Sequence, residues 1–153
     1  MSNPNDVVYT PEWIALDMIK HFKPEGIILD PCSGGGVFFN NLEGNKYFCE
    51  IEKGVDFFDF ELPVRWIISN PPYSIFDEWL THSLSLADEV CYLIPVNKLL
   101  SSYKKLQEVY KWGGIKHIRY YGSGRKIGFP FGFPVGAVHL SKNYKGEVGI
   151  SFA

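Results

Sequence analysis

The alternation of short apolar runs with segments of helical periodicity is the feature that most constrains the fold of this chain. Strands are predicted at 26–30, 47–50, 65–69, 90–94, 115–121 and 135–140, with a further short strand starting at Val55. Helices are predicted at 11–22, 37–42, 76–86 and 99–112, the first with Thr10 as its N-cap and Pro11 at its first position. Strands that alternate with helices predict an α/β domain with a mostly parallel sheet.

Length and composition narrow the class of protein. The 153 residues suit a single catalytic or binding domain, 1–153, with little room for a second one. Three separated cysteines and four scattered histidines indicate reduced thiols and no metal site. No apolar run approaches the roughly 20 residues that span a bilayer, and 1–6 lacks the features of a signal peptide. We therefore expect a cytoplasmic protein with no membrane partner.

Charge is distributed unevenly along the chain. Residues 1–90 carry 5 lysines and arginines against 15 acidic residues, whereas residues 91–153 carry 10 against 2. A basic C-terminal half can contact a polyanion such as nucleic acid, although solvated surface lysines would give the same count.

Polar residues follow three of the predicted strands at their carboxyl ends. Asp30, Glu50 and Asn70 each end or follow a strand, and a glycine cluster at 34–36 follows Asp30. In open α/β sheets ligands bind beyond the carboxyl ends of the strands, so these residues are expected to line one edge. Glycines there allow the backbone to approach a ligand closely.

The segment Asn70-Pro71-Pro72-Tyr73 is the strongest single signal. Two prolines fix the backbone and remove two amide donors, which leaves carbonyl oxygens as acceptors. Asn70 adds a side-chain oxygen and Tyr73 adds a flat ring. Two acceptors beside a stacking face would suit a planar amine, whereas a proline-rich turn with a packed tyrosine is the structural alternative.

These motifs, in this order, resemble those of the class I S-adenosylmethionine-dependent amino methyltransferases, in particular the gamma-type N6-adenine DNA methyltransferases of phages and restriction–modification systems. The resemblance covers roughly residues 7–141 and implies a Rossmann-like fold with a seven-stranded sheet and an antiparallel C-terminal strand. It implies S-adenosyl-L-methionine as cofactor and Asn70, Pro71, Pro72 and Tyr73 as catalytic residues. The cofactor-binding residues that it implies are Tyr9, Thr10, Pro11, Asp30, Cys32, Gly34, Gly36, Glu50, Ile51, Asp56, Phe57 (or the pair Asp59 and Phe60) and Asn70.

The resemblance also implies a target base flipped out of its helix. Tyr73 is then expected to stack on the base, with Phe129, Phe131 or Phe133 supplying a second face. Lys98, Arg125 and Lys126 are expected to contact phosphates, and Lys104, Lys105 and Arg119 are further candidates. DNA is a more plausible partner than RNA on this resemblance.

The sequence departs from the family pattern between Asp30 and Asn70, at Arg65, near where many relatives carry an acid, and after the core. Several alternatives therefore stay open. Only Ile51 to Gly54 separate the second acid from the next apolar run, so helices between Asp30 and Asn70 are expected to be reduced. We expect no target-recognition domain after the core, so sequence specificity is expected to be weak, to come from loops, or to be supplied by a partner chain. The same chemistry on an RNA base, a cytosine or a protein glutamine, or a non-catalytic cofactor-binding module, are the alternatives. A dehydrogenase is disfavoured because the third glycine of its fingerprint is missing.

Overall fold

The computed structural model describes residues 9–153, so the predictions for residues 1–8 lie outside the described part. The helices are α1 (Glu12–Phe22), α2 (Val37–Asn41), α3 (Phe76–Leu86), α4 (Asn97–Leu100) and α5 (Tyr103–Trp112). The strands are β1 (Ile28–Asp30), β2 (Lys46–Phe48), β3 (Val64–Ser69), β4 (Ala87–Pro95), β5 (Gly113–Ser123), β6 (Pro134–Lys142) and β7 (Gly149–Phe152).

All seven strands belong to one sheet, in the order β2-β1-β3-β4-β6-β5-β7. Strands β2, β1, β3 and β4 are parallel neighbours, whereas β6 runs antiparallel to both β4 and β5. Strand β7 pairs in parallel with β5. The predicted α/β architecture, with a mostly parallel seven-stranded sheet and an antiparallel strand near the C-terminus, is therefore confirmed.

The central strands are buried on both faces because helices cover both sides of the sheet. Along β4, Val90, Tyr92 and Ile94 enter one apolar cluster, while Cys91 and Leu93 enter the other. This alternation follows from the two-residue period of a strand. Helix α3 packs on the first face and α1 on the second, so the near-continuous apolar run of β4 is that of an interior strand.

Helix α1 begins as predicted, but Thr10 is not its N-cap. Pro11 occupies the cap position, and no side chain caps the helix. The Thr10 hydroxyl instead accepts a hydrogen bond from the side-chain amide of Asn70 at 3.1 Å. The Thr10 side chain therefore makes a long-range contact with Asn70 in place of the expected N-cap contact with α1.

The region between β1 and β3 is compressed, as the short spacing predicts. It contains the five-residue helix α2 and two single 3-10 turns, at Ile51–Lys53 and Phe57–Asp59. The strand predicted at Val55 is wrong, because Val55 makes only an isolated bridge with Glu50. Tight turns on both sides of Val55 leave no extended chain to join the sheet.

Two further elements differ from the sequence prediction. The single helix expected at 99–112 is divided, because Ser102 adopts an extended conformation and its hydroxyl caps the amide of Lys105. Strand β7 was not predicted, and it lies at the edge of the sheet beside β5. Within residues 9–153, the helices are all too short or too polar to cross a bilayer.

Candidate active site

A cavity of about 110 Å³ lies at the carboxyl edge of the sheet, between β1, β3 and the segment before α1. Five of the residues that were predicted to bind the cofactor line this cavity, namely Tyr9, Thr10, Cys32, Gly34 and Asn70. Its remaining lining residues are Ser33, Gly35, Val37, Phe38 and Ser69. The topology therefore brings the N-terminal motif, the glycine loop and the first residue of the Asn-Pro-Pro-Tyr segment to one place.

The glycine loop is held in shape by backbone hydrogen bonds and by positive φ angles. The amide of Ser33 donates to the carbonyl of Cys49 at 2.9 Å, which ties the loop to the end of β2. Gly34 has φ of 51°, and a Cβ built on it would meet nothing within 4 Å. Gly36, with φ of 86°, lies directly before α2. The loop thus presents bare backbone and open space to the cavity.

Asp30 lies beneath the cavity rather than in its lining. Its side chain is fully buried, and its Oδ1 accepts hydrogen bonds from the Ser69 hydroxyl at 2.6 Å and the Cys32 amide at 3.4 Å. Its Oδ2 is buried and has no hydrogen-bond partner among the described residues. Burial raises the pKa of the carboxyl to about 7, against the opposing effect of the Ser69 and Cys32 hydrogen bonds.

Asn70 is held through three different atoms. Its side-chain nitrogen donates to Thr10 Oγ1 at 3.1 Å, and its Oδ1 accepts from the Tyr73 hydroxyl at 2.6 Å. Its backbone oxygen accepts from the thiol of Cys32 at 2.9 Å. Burial raises the pKa of that thiol, so it remains a neutral donor. The amide predicted to be catalytic therefore borders the cavity in a fixed orientation.

Tyr73 does not present an open stacking face in this structure. Tyr73 is 7% exposed, and its hydroxyl donates to Asn70 Oδ1 and contacts the Leu93 carbonyl at 3.2 Å. Phe131 packs edge-on against it with ring centroids 5.8 Å apart. Two rings in contact at this distance leave no room for a base between them, so stacking on Tyr73 requires one of them to move.

The phenylalanine-rich link after β5 leads from Tyr73 to the surface. Phe131 is half-buried beside Tyr73, and Phe133, which is 54% exposed, follows it at 5.9 Å. Phe129 is buried in the apolar cluster beneath α1, so its ring does not face a substrate. Of the three predicted substrate-contacting phenylalanines, Phe133 alone is largely exposed.

Glu50 and the acid–aromatic pair occupy different positions. Glu50 Oε2 accepts a hydrogen bond from the Gly34 amide at 2.6 Å, which places the carboxylate on the glycine loop. Asp56 accepts from the amide of Phe58. The Phe57 ring is buried against Trp79 at 4.4 Å, so its face is not available to a cofactor, whereas Phe58 is 40% exposed. Ile51 is exposed, and Pro11 lies at the N-cap position of α1 without capping it.

Two of the candidate phosphate-binding cations are engaged within the protein. Lys105 is buried and pairs with Asp77. Arg119 donates two hydrogen bonds to the carboxylate of Asp17, at 2.6 and 3.0 Å, and that pairing lowers the pKa of Asp17. Arg125, Lys126 and Lys104 are exposed and Lys98 is half-buried, so these remain candidates.

Four of the ten residues that line the cavity were not predicted from the sequence, namely Ser33, Val37, Phe38 and Ser69. Ser69 could have been identified, because it directly precedes Asn70 on a strand that points toward the site. Val37 and Phe38 start the helix after the glycine loop and read as core residues, since no local signal separates a cavity wall from a packed interior. In the described part of the chain, no three His, Cys, Asp or Glu side chains form a group that could hold a metal ion.

Several solved structures are similar to this chain in fold, whereas its sequence alone identifies no relative. No family model matches the chain, and no curated protein matches it by sequence. A proposed class I S-adenosylmethionine-dependent methyltransferase from Listeria monocytogenes is similar over 99% of this chain and 67% of its own length, with a TM-score of 0.73 and 14% identity. The chain has the class I methyltransferase fold.

Two further similar structures come from different kinds of methyltransferase. A proposed RNA methyltransferase from Pyrococcus horikoshii has a TM-score of 0.64 at 12% identity, over 93% of this chain and 91% of its own. The methyltransferase subunit of a type I restriction–modification system from Streptococcus thermophilus has a TM-score of 0.62 at 14% identity, over 88% of this chain. The match covers only 45% of that subunit, less than half of its length.

Proposed function

We propose that this chain transfers the methyl group of S-adenosylmethionine to the exocyclic N6 amine of adenine in DNA. The observation that carries the proposal is that the Asn70 side chain and the bare backbone of the glycine loop border the same cavity. A group that accepts hydrogen bonds from an amine thus lies beside a place suited to a nucleotide-like cofactor. The class I methyltransferase fold supports the same reaction.

The residues around the cavity support S-adenosylmethionine as the cofactor. Gly34 and Gly35 leave open space, since a Cβ on Gly34 would meet nothing within 4 Å and one on Gly35 would meet only the Tyr9 ring at 3.7 Å. Cys32, Ser33 and Asn70 supply polar atoms around that space, and Thr10, whose hydroxyl accepts a hydrogen bond from Asn70, forms part of its wall. In the proposal Glu50, Ile51, Asp56 and the backbone of Phe57 extend the site along the rim, with Asp30 as the buried support of the loop.

Asn70 and Pro71 would act on the target amine. The lone pair of adenine N6 is delocalised into the ring, and hydrogen bonds from its N–H groups to Asn70 Oδ1 and the Pro71 carbonyl would draw the nitrogen toward tetrahedral geometry. When bound, S-adenosylmethionine supplies a methyl group activated by a positively charged sulfur. A new nitrogen–carbon bond forms as the carbon–sulfur bond breaks, and the amine proton leaves to water.

Access to the amine requires rearrangement at Tyr73. The hydroxyl of Tyr73 contacts Asn70 Oδ1, and Phe131 packs on its ring. A flipped base would displace Phe131 or turn the Tyr73 ring outward, and Phe133 could then hold the base or its neighbour from the surface. Arg125, Lys126 and Lys98 would contact the phosphates on either side.

RNA is the second candidate substrate, because one similar structure is that of a proposed RNA methyltransferase. The protein from Streptococcus thermophilus is a subunit of a larger system, which supports a partner chain that supplies target recognition. In this proposal the chain acts in the cytoplasm of a bacterium or of a phage-infected cell.

The test is methyl transfer from labelled S-adenosylmethionine to duplex DNA, single-stranded DNA, RNA and protein, with the product identified by mass spectrometry. N6-methyladenine in DNA is the expected product. Asn70→Ala should reduce the rate about a hundredfold, the usual effect of losing one hydrogen bond formed in the transition state. Asn45→Ala, an exposed asparagine before β2, serves as the matched control and should keep the wild-type rate. Transfer by Asn70→Ala at the wild-type rate would reject the role of the amide.

A further inference from the structure

Thr10 contacts Asn70, the first residue of the Asn-Pro-Pro-Tyr segment, rather than the helix that it precedes. Its hydroxyl oxygen accepts the side-chain N–H of Asn70 at 3.1 Å, across 60 residues of sequence. Helix α1, which starts two residues later, has no side-chain cap. Both Thr10 and Asn70 line the cavity, so this hydrogen bond connects two walls of the proposed active site.

An asparagine amide needs such a contact if it is to act as an acceptor. The oxygen and nitrogen ends of the amide have nearly the same shape, but the oxygen accepts hydrogen bonds and the nitrogen donates them. If the amide rotated by half a turn, an NH₂ group would face the target amine, donor against donor. A partner at the nitrogen end and another at the oxygen end oppose this rotation.

The structure supplies both partners from different elements. Thr10 holds the nitrogen of the amide, and the Tyr73 hydroxyl approaches its oxygen at 2.6 Å. The Tyr73 hydroxyl belongs to the segment that must rearrange when a base enters. Thr10 lies before α1, outside that segment, and its contact is with the nitrogen end of the amide.

We propose that Thr10 is a positioning residue that holds the Asn70 amide with its oxygen toward the target amine. The inference rests on the proposed amino methyltransferase function and deepens it, because it assigns to Thr10 a role toward the methyl acceptor rather than toward the cofactor. Loss of the Thr10 hydroxyl should therefore slow methyl transfer while the affinity for the cofactor is kept.

The experiment compares Thr10→Val, which replaces the hydroxyl by a methyl group of similar size, with Thr10→Ser, which keeps the hydroxyl. Thr81, the other threonine of the chain, lies on the exposed side of α3, and Thr81→Val is the matched control. We expect Thr10→Val to reduce kcat at saturating substrate about tenfold, the scale of a modest misplacement of a reacting group. Thr10→Ser and Thr81→Val should stay within about twofold of wild type on the same scale.

A second measurement separates positioning from cofactor binding. Calorimetry with S-adenosylhomocysteine should give the same Kd for Thr10→Val and wild type, because valine preserves the shape of the cavity wall. The inference is overturned if Thr10→Val transfers methyl at the wild-type rate, or if its cofactor affinity falls as much as its rate.

A third measurement decides the inference even if the protein transfers no methyl group to any substrate, which would reject the proposed function alone. The side-chain amide of Asn70 gives a pair of signals in a proton–nitrogen correlation spectrum, identified by their loss in Asn70→Asp. Thr10→Val should shift these signals and Thr10→Ser should retain them. Wild-type positions in Thr10→Val would show that Thr10 does not hold the amide.

Discussion

At the scale of single residues, Asp30 shows how burial at the proposed site opposes stability. The pKa of its carboxyl is raised to about 7 in the folded chain, chiefly by burial, from an ordinary value near 3.8. Between these two pH values the folded state binds more protons than the unfolded state, so this residue lowers stability as the pH rises through that range. Above pH 7 the destabilisation is complete.

Asp30→Asn should therefore stabilise the fold at pH 8, where the wild-type carboxylate is charged and buried. The gain in the free energy of unfolding is expected to be on the order of a few kcal/mol at most, and to decline toward zero near pH 4. Thermal denaturation at pH 5 and pH 8 measures it, with the exposed Asp59→Asn as the control. A stability gain that does not depend on pH, or a loss at pH 8, would contradict the assigned cause.

The positions of individual residues were predictable from the sequence only where the neighbouring residues in the chain decide them. Asn70 directly follows β3 and Gly34 lies in the loop after β1, and both line the cavity as expected. The environment of Asp30 depends on Ser69, 39 residues away, and the burial of Tyr73 depends on Phe131, so neither could be inferred from a motif. Phe57 is buried against Trp79 while its neighbour Phe58 is exposed, a choice that only tertiary packing makes.

At the scale of elements, the loop between β1 and α2 combines backbone conformations that suit glycine with open space in front of it. Gly34, with φ of 51°, and Gly44, with φ of 88°, both have positive φ, and a Cβ on either would meet nothing within 4 Å. Substitution by alanine should thus cost both variants a similar amount, about 1 kcal/mol of unfolding free energy. Only Gly34 borders the cavity.

The two substitutions therefore form a matched pair. Gly34→Ala is expected to weaken binding of S-adenosylhomocysteine at least several-fold, because its methyl group enters the space in front of the loop. Gly44→Ala should bind with the wild-type Kd. Denaturant unfolding and calorimetry measure the two effects separately, and equal Kd values for both variants would place the cofactor elsewhere.

The elements that periodicity defines were predicted, and those that depend on pairing were not. Helices α1 and α3 and strands β3 and β4 have clear apolar patterns and lie where expected. Val55 has the residue type of a strand, but the tight turns around it prevent pairing. Strand β7 is short and alternates between half-buried and exposed residues, so its order depends on the partner strand β5.

At the scale of the whole molecule, ion pairs within the fold neutralise part of the charge difference between the two halves of the sequence. Arg119 and Lys105, from the basic half of the sequence, pair with Asp17 and Asp77 from the acidic half. The basic residues that stay exposed therefore decide where a polyanion can bind. Arg125 and Lys126 follow β5 at the carboxyl edge of the sheet, beside the link that reaches Tyr73.

If nucleic acid binds at that edge, its affinity should fall steeply with salt concentration, because bound phosphates release counterions. Lys126→Ala should weaken binding at low salt and reduce the slope of log K against log salt by about one, the effect of one lost phosphate contact. Lys142→Ala provides the matched control, since Lys142 is an exposed lysine at the opposite end of β6 from the site. Titration of labelled single-stranded and duplex oligonucleotides by fluorescence anisotropy measures both variants. Equal loss in the two variants would indicate attraction to net charge rather than a binding edge, and a flat salt response in the wild type would favour the protein-glutamine substrate over nucleic acid.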